Sequence, residues 1–193
     1  MIQIINQQFK ILDGMNVIDT TSRSMNWSKG LSPFYCGPVD LYGGYRAYNV
    51  ENGWQYTKCY YNHVDANDNP TAAYFQWAEA GWHSIKANRY PAGKGSKPLY
   101  SFWDGDKLSY LEARQKIYIP LYSEAVKKTY AFKKLQETYK EAKYTAEECL
   151  YFKDFDAHNL PDNGDYTYSK LWNNPDIKVG HAYVLAMLLE GIL

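Results

Sequence analysis

The tightest constraint on the fold is a helical period in the second half of the chain. Leu108, Leu111, Tyr118, Leu121, Ala125, Phe132 and Leu135 recur at helical spacing, and the pattern carries through about Lys143. Only a helix laid on a core buries such a stripe. Pro120 lies inside it, lacks a backbone N–H and crowds the preceding turn, which predicts a kink or two helices in succession.

Elsewhere the punctuation is denser. Ile2, Ile4, Ile5, Phe9, Ile11 and Leu12 stand among polar residues and predict one short strand or ribbon within residues 1–30. From Leu31 to Tyr48 the pairs Gly37-Pro38 and Gly43-Gly44 predict turns joining short extended pieces. Asn49 is a suitable N-cap and Glu51 a first-turn carboxylate, so a helix is expected from about Val50 to Tyr61, with Gly53 unfavourable inside it. Asn69-Pro70 opens a second helix that turns Phe75, Ala78, Trp82 and Ile85 to a core, and the Pro and Gly residues between Asn88 and Lys97 close it. Residues 154–164 form a loop of Asp, Asn, Pro and Gly. Ile177, His181, Val184, Leu185, Leu188 and Ile192 then mark one face of a final amphipathic helix. At 193 residues the chain is long enough to bury one core without staples. The expected fold is mainly α (α+β): a single domain over residues 1–193 with a few short strands near the N-terminus.

Charge and composition exclude several classes. No apolar run reaches the roughly 18 residues of a membrane span, and Met1 to Asn6 has neither the basic start nor the apolar stretch of a secretory signal. No membrane partner is expected, and the expected location is the cytoplasm. Cys36, Cys59 and Cys149 form no C-x-x-C pair and suggest neither a disulfide framework nor a zinc site. No metal and no cofactor is implied. Lys plus Arg and Asp plus Glu both number 21, so any contact with a polyanion must be local. Twenty tyrosines and 6 tryptophans suit core filling, interfaces and base stacking alike. The Walker, Rossmann, nucleophile-elbow and zincin motifs are absent.

The most suggestive constellation is Glu51-Asn52-Gly53-Trp54-Gln55-Tyr56-Thr57-Lys58. On a continuous helix Glu51, Gln55 and Lys58 share a face with Trp54 beside them, lining one wall with a carboxylate, an amine and an indole. The same spacing also describes a solvated face with one buried Trp and a Glu51–Lys58 ion pair. Arg46, Lys94 and Lys97 lie in Gly-rich or Pro-rich loops suited to a pyrophosphate, or, for Lys94, to ordinary surface charge. His158, two residues from Asp156, is placed to assist proton transfer. His181, on an apolar face, reads as a satisfied buried histidine.

The Glu51–Lys58 segment resembles the E-H-Y-F-Q-x-x-K helix of NADAR-type proteins, and it follows Leu31-Ser32-Pro33-Phe34 as that helix follows an L-S-x-F loop. Lys97-Pro98-Leu99-Tyr100-Ser101-Phe102-Trp103, ahead of a helix over Ala113 to Val126, is similar to the family's K-P-L/R-x-x-W segment. Phe155-Asp156-Ala157-His158-Asn159 and the Gly180–Leu189 helix resemble its closing motifs. These matches span about Leu31 to Glu190. Pro33 stands where Asn is frequent, Asn52-Gly53-Trp54 replaces His-Tyr-Phe, and no Trp-Gly follows Asp156, so the resemblance is to a divergent member, with a phage-encoded origin as one reading.

The resemblance implies cleavage of an N-glycosidic bond at a ribose anomeric carbon, with Glu51, Lys58 and Asp156 as catalytic residues. A carboxylate such as Glu51 or Asp156 stabilises the positive charge that develops there or activates water. A desolvated Lys58 can attack the opened sugar as a Schiff-base nucleophile. Ser32, Phe34, Arg46, Trp54, Gln55, Lys97, Trp103 and His158 are the implied substrate-binding residues; Trp54 and Trp103 stack on base or ribose, or else fill the core. The expected partner is ADP-ribosylated nucleic acid or an ADP-ribose-like nucleotide, with modified guanine as substrate and reversal of a DNA ADP-ribosyltransferase toxin or a phage defence as setting. Two alternatives stay open: a glycosidase for a small phosphoribosyl-amine such as a riboflavin intermediate, and a tyrosine-rich binding module without turnover.

Overall fold

A computed structural model describes residues 1–144, 149–158 and 168–193. In chain order the elements are β1 (Ile2–Ile5), β2 (Asn16–Asp19), β3 (Val39–Asp40), β4 (Arg46–Ala47), α1 (Val50–Gln55), β5 (Lys58–Cys59), α2 (Ala72–Trp82), β6 (Tyr100–Trp103), β7 (Asp106–Leu108), α3 (Tyr110–Ala113), a π-helical turn (Arg114–Tyr118), α4 (Ile119–Lys127), α5 (Tyr130–Tyr144), β8 (Leu150–Lys153), α6 (Tyr168–Trp172) and α7 (His181–Leu189). The fold is a mixed α+β one. Strands occur along the whole chain instead of gathering near the N-terminus as expected. No helix among the described residues is long and apolar enough to cross a membrane. Two compact units are present, residues 1–32 with 126–193, and residues 33–125.

The first unit is built on a parallel three-stranded sheet of order β1-β8-β2. Ile2 pairs with Leu150 and Asn16 pairs with the same Leu150 on the other side. The 1–30 segment therefore holds two strands, not one, and they meet only through β8. Parallel pairing across more than 130 residues leaves no local signature. Leu150 and Phe152 are buried in the alternation of a strand. Ala131, Phe132, Leu135 and Ala142 form the buried stripe of α5, while Lys133, Gln136, Glu137 and Lys140 face solvent.

The long helical stretch does divide, but at Thr129. Its N–H and hydroxyl both donate to the Val126 carbonyl, at 2.9 and 2.8 Å, and its hydroxyl accepts from Phe132 N at 3.0 Å, ending α4 and capping α5. Pro120 sits near the start of α4, just after the π-helical turn, in which Ile119 N reaches Arg114 O. The wider turn carries the backbone past a proline that has no N–H to give. The last helix also departs from expectation. Residues 181–187 of α7 are buried on every side, so α7 is a core helix instead of an amphipathic one, and Ile192 is exposed. Ile177 precedes α7 and packs on the Leu171, Val179 and Tyr183 cluster.

In the second unit β3 pairs with β4 and β5-β6-β7 form an antiparallel sheet. Asp104 and Gly105, at φ 49° and 91°, make the β6–β7 hairpin turn. α1 ends at Gln55 instead of Tyr61, because Thr57 Oγ1 takes the Trp54 carbonyl at 2.8 Å and the chain turns into β5. α2 buries Tyr74, Ala78 and Trp82, but it ends before Ile85, which is 78% exposed. Gly81 accommodates the Tyr56 ring, which occupies the space a Cβ would need.

Two outcomes follow from this packing. Gly81→Ala must displace Tyr56 and is expected to destabilise the protein by about 1–3 kcal/mol, read from the urea midpoint. His63 is buried against Trp77 at 4.4 Å, and its Nδ1 lacks a hydrogen-bond partner. Burial holds its pKa below the ordinary 6.5, so the unfolded chain binds that proton more readily. The stability gained by keeping His63 neutral is complete above the unfolded value and is lost as pH falls through the lower folded value. Urea unfolding between about pH 7.5 and 5 is expected to show this loss, and His63→Phe to lessen it.

Candidate functional site

The N-terminus of α1 is set by Asn49, whose Oδ1 accepts from Asn52 N at 2.8 Å, and by Val50 N and Glu51 N, which donate to the Cys36 and Pro33 carbonyls at 2.9 and 3.1 Å. This places the Glu51 carboxylate in the first turn with 6% exposure. Gln55 Nε2 donates to Glu51 Oε1 at 3.1 Å, and Lys58 Nζ donates to Gln55 Oε1 at 2.6 Å. A carboxylate only accepts and an ammonium only donates, so the amide orientation is forced and Gln55 bridges the two charges. Lys58 belongs to β5, not to the helix face assumed from spacing, yet its Nζ lies 4.7 Å from the Trp54 ring centroid. Trp54, at 8% exposure, meets Tyr118 of the π-helical turn at 5.4 Å.

That turn packs against α1 and carries Arg114, 1% exposed, with its guanidinium 4.6 Å from the Tyr110 ring centroid. A buried arginine in a π-helical turn is a frequent mark of function, because it sets a permanent cation in a low-dielectric site. Sequence reasoning missed Arg114, as the wider turn that draws it inward has no signature. The one available hint was a charge within an otherwise apolar stripe. The Cys36 thiol, whose backbone carbonyl receives Val50 N, is pushed up to about 12 by burial, and Cys59 to about 11 by the same cause, so neither is a thiolate nucleophile at neutral pH.

The remaining expected residues are more dispersed. Trp103 is half-buried and meets Tyr42 edge-on at 5.0 Å. Phe34 is half-buried; Arg46 is exposed and lies 3.4 Å from Asp40, which is exposed as well. Lys97 is exposed in the loop before β6. Ser32 is buried at the end of a short 3-10 turn in the first unit, with its N–H on Lys29 O. Asp156 and His158 also belong to the first unit, whereas Glu51, Gln55 and Lys58 belong to the second. Asn159 and the rest of the expected 154–164 loop beyond it lie outside the described residues.

Asp154, which the sequence did not single out, organises the surroundings of Asp156 and His158. Gly180 is the N-cap of α7 and has no side chain to offer. Asp154 Oδ2 accepts from Ala182 N at 3.1 Å in its place and stands 3.3 Å from His181 Nδ1, while Oδ1 faces Asp156 N at 3.4 Å. A Cβ on Gly180 would collide with that carboxylate. His181 is satisfied and buried, its Nε2 lying 2.7 Å from the Thr20 carbonyl. His158 N donates to Tyr183 Oη at 3.0 Å and His158 Nε2 to Lys178 O at 3.0 Å.

Two compact units of mixed α+β structure, one bearing a Glu–Gln–Lys relay with a buried carboxylate and a half-buried lysine, thus define the chain. It belongs to the family of unknown function DUF6939, whose model matches residues 2–171. No curated protein and no solved structure matches it.

Asp154→Ala would leave the Ala182 N–H and the His181 ring without their buried acceptor. It is expected to lower the unfolding free energy by about 3 kcal/mol, whereas Asp156→Ala, at a half-buried carboxylate, is expected to change it by less than about 1 kcal/mol, both measured by urea unfolding.

Proposed function

We propose that this chain is an N-glycosidase of the NADAR type that removes ADP-ribose from an ADP-ribosylated nucleobase, guanine in nucleic acid, and so reverses the action of a DNA ADP-ribosyltransferase. The observation that carries the reading is the Glu51–Gln55–Lys58 relay with Trp54 beneath the ammonium. In the reaction the bond between C1 of the ribose and the base nitrogen breaks, the base nitrogen gains a proton, and water supplies the hydroxyl left on C1. Positive charge develops at C1 as the base departs, and a buried carboxylate is suited to stabilise it because few water dipoles compete. Gln55 keeps the carboxylate and the ammonium at a set separation, so that they do not collapse into a direct pair. Lys58, once its ammonium has given a proton to the base nitrogen, is placed to attack the ring-opened C1 as an amine; the base departs, and water hydrolyses the resulting Schiff base, returning the free lysine and the oxygen on C1, with Trp54 beside the amine.

The test is release of free ADP-ribose from a guanine-ADP-ribosylated oligonucleotide. Wild type is expected to release it, and Glu51→Gln and Lys58→Ala to lose about 100-fold or more in kcat. Gln55→Leu is expected to alter the pH profile of the residual rate, since it removes the link between the two charged groups. If folded wild type releases nothing from the oligonucleotide but cleaves a phosphoribosyl-amine, the substrate is the small metabolite. Cleavage of neither overturns the glycosidase.

A further inference from the structure

The charge balance of the chain conceals one strongly biased segment. From Ala80 to Trp103 there are 24 residues without an Asp or Glu, and Lys86, Arg89, Lys94 and Lys97 all fall within them. Most of this segment is the loop between α2 and β6. Lys86, Lys94 and Lys97 are exposed, and Arg89 lies with its guanidinium 5.8 Å from the centroid of Tyr90, a ring that is 49% exposed.

A loop of this length without regular structure would ordinarily wander, yet its first part is bolted to α1. Asn52 has no solvent exposure, and its side chain is used on the loop backbone: Nδ2 donates to the Ser84 and Lys86 carbonyls at 2.9 and 3.1 Å, and Oδ1 accepts from Asn88 N at 2.8 Å. Asn49 Nδ2 adds a bond to Ile85 O at 3.3 Å, and Asn88 Oδ1 accepts from Tyr90 N at 3.2 Å. Gly93 and Gly95, at φ 95° and 90°, turn the middle, and Leu99 N closes the far end on Cys59 O at 2.8 Å. A buried amide satisfied by loop backbone is a costly feature to misplace, and it holds the basic loop on the same helix that carries Glu51. Tyr48, 52% exposed, adjoins Asn49 at the root of the loop.

We infer that this loop is a docking arm for single-stranded nucleic acid, with Lys86, Lys94 and Lys97 on the phosphates and Tyr90 and Tyr48 as stacking platforms for unpaired bases. Cations interleaved with exposed rings in a stretch of sequence without Asp or Glu match a strand whose phosphates and bases are both accessible. The arm is neither a helix nor a two-stranded ribbon, the shapes that enter a duplex groove. Nor does it present the amphipathic helix by which a surface segment lies in a membrane interface. The inference deepens the glycosidase reading by naming the polymer that bears the modified base, and as a statement about substrate it rests on that reading.

Fluorescence anisotropy with an unmodified single-stranded 20-mer separates the two. Wild type is expected to bind at low salt with a Kd in the range of about 1–100 µM, as for other salt-dependent backbone contacts. The combined variant Lys86→Ala, Lys94→Ala, Lys97→Ala is expected to bind at least about 10-fold more weakly, with a salt slope shallower by about 2, since each lost phosphate contact on a single strand removes about 0.7. Tyr90→Ala is expected to weaken binding at least about 5-fold. Glu51→Gln is expected to bind as wild type does. The arm is overturned if wild type does not bind the strand, if the folded triple variant binds as tightly as wild type, or if a duplex or a phosphatidylserine vesicle is preferred. Strand binding that depends on these residues, without release of ADP-ribose from a modified strand, keeps the arm and overturns the glycosidase. Release that the triple variant retains in full overturns the arm alone.

Discussion

The side chain of Asn52 is the point on which the second unit turns. It is wholly buried, and a buried amide left unsatisfied is strongly destabilising, so its hydrogen bonds must all be found in one place. It finds them on the backbone of Ser84, Lys86 and Asn88. With Asn49 capping α1 and also reaching Ile85, two asparagines three residues apart join a six-residue helix to a loop more than thirty residues away. A helix this short has little stability of its own. Its position depends on these bonds, on the Pro33 and Cys36 carbonyls that receive its first N–H groups, and on Trp54 packed against Tyr118. The placement of Glu51 and Gln55 follows from that of the helix.

Asp154 has the same standing in the first unit. The strand that carries it lies between β1 and β2, and the helix it caps, α7, is apolar on all sides and begins with a glycine. One carboxylate compensates for the missing cap, holds the His181 ring and faces the Asp156 backbone. Gly180 is required because the carboxylate occupies the space of its Cβ. In both units a single buried polar side chain organises irregular backbone that apolar packing alone would leave undirected.

Much of the local architecture was legible in the residues. The Asn49 cap, the Gly-rich turns before it, the α2 stripe of Ala78 and Trp82, the amphipathic α5 and the satisfied His181 all follow from short-range rules of spacing and capping. The errors arose where a distant partner decides the outcome. β1 and β2 need β8 between them, and Lys58 left the helix because Thr57 and the pairing of β5 with β6 terminate it. The helical stretch divides at Thr129 because a hydroxyl there can serve both helix ends, while the π-helical turn absorbs Pro120.

By itself the sequence determined that helices run through the α1, α2, α5 and α7 segments, that Gly-rich turns precede α1, that a carboxylate, an amide and an amine lie within eight residues of one another, and that one acid-free segment concentrates positive charge. Spacing sets these, because helix periodicity and turn chemistry act over a few residues. Tertiary structure alone decided that Gln55 stands between Glu51 and Lys58, that Arg114 is drawn out of water, and that Asn52 holds the backbone beside α1 and, in the other unit, Asp154 the backbone at the start of α7. The physical reason is that a buried polar group must be satisfied by whatever the fold brings beside it, and in this chain its partners come from elements remote in sequence.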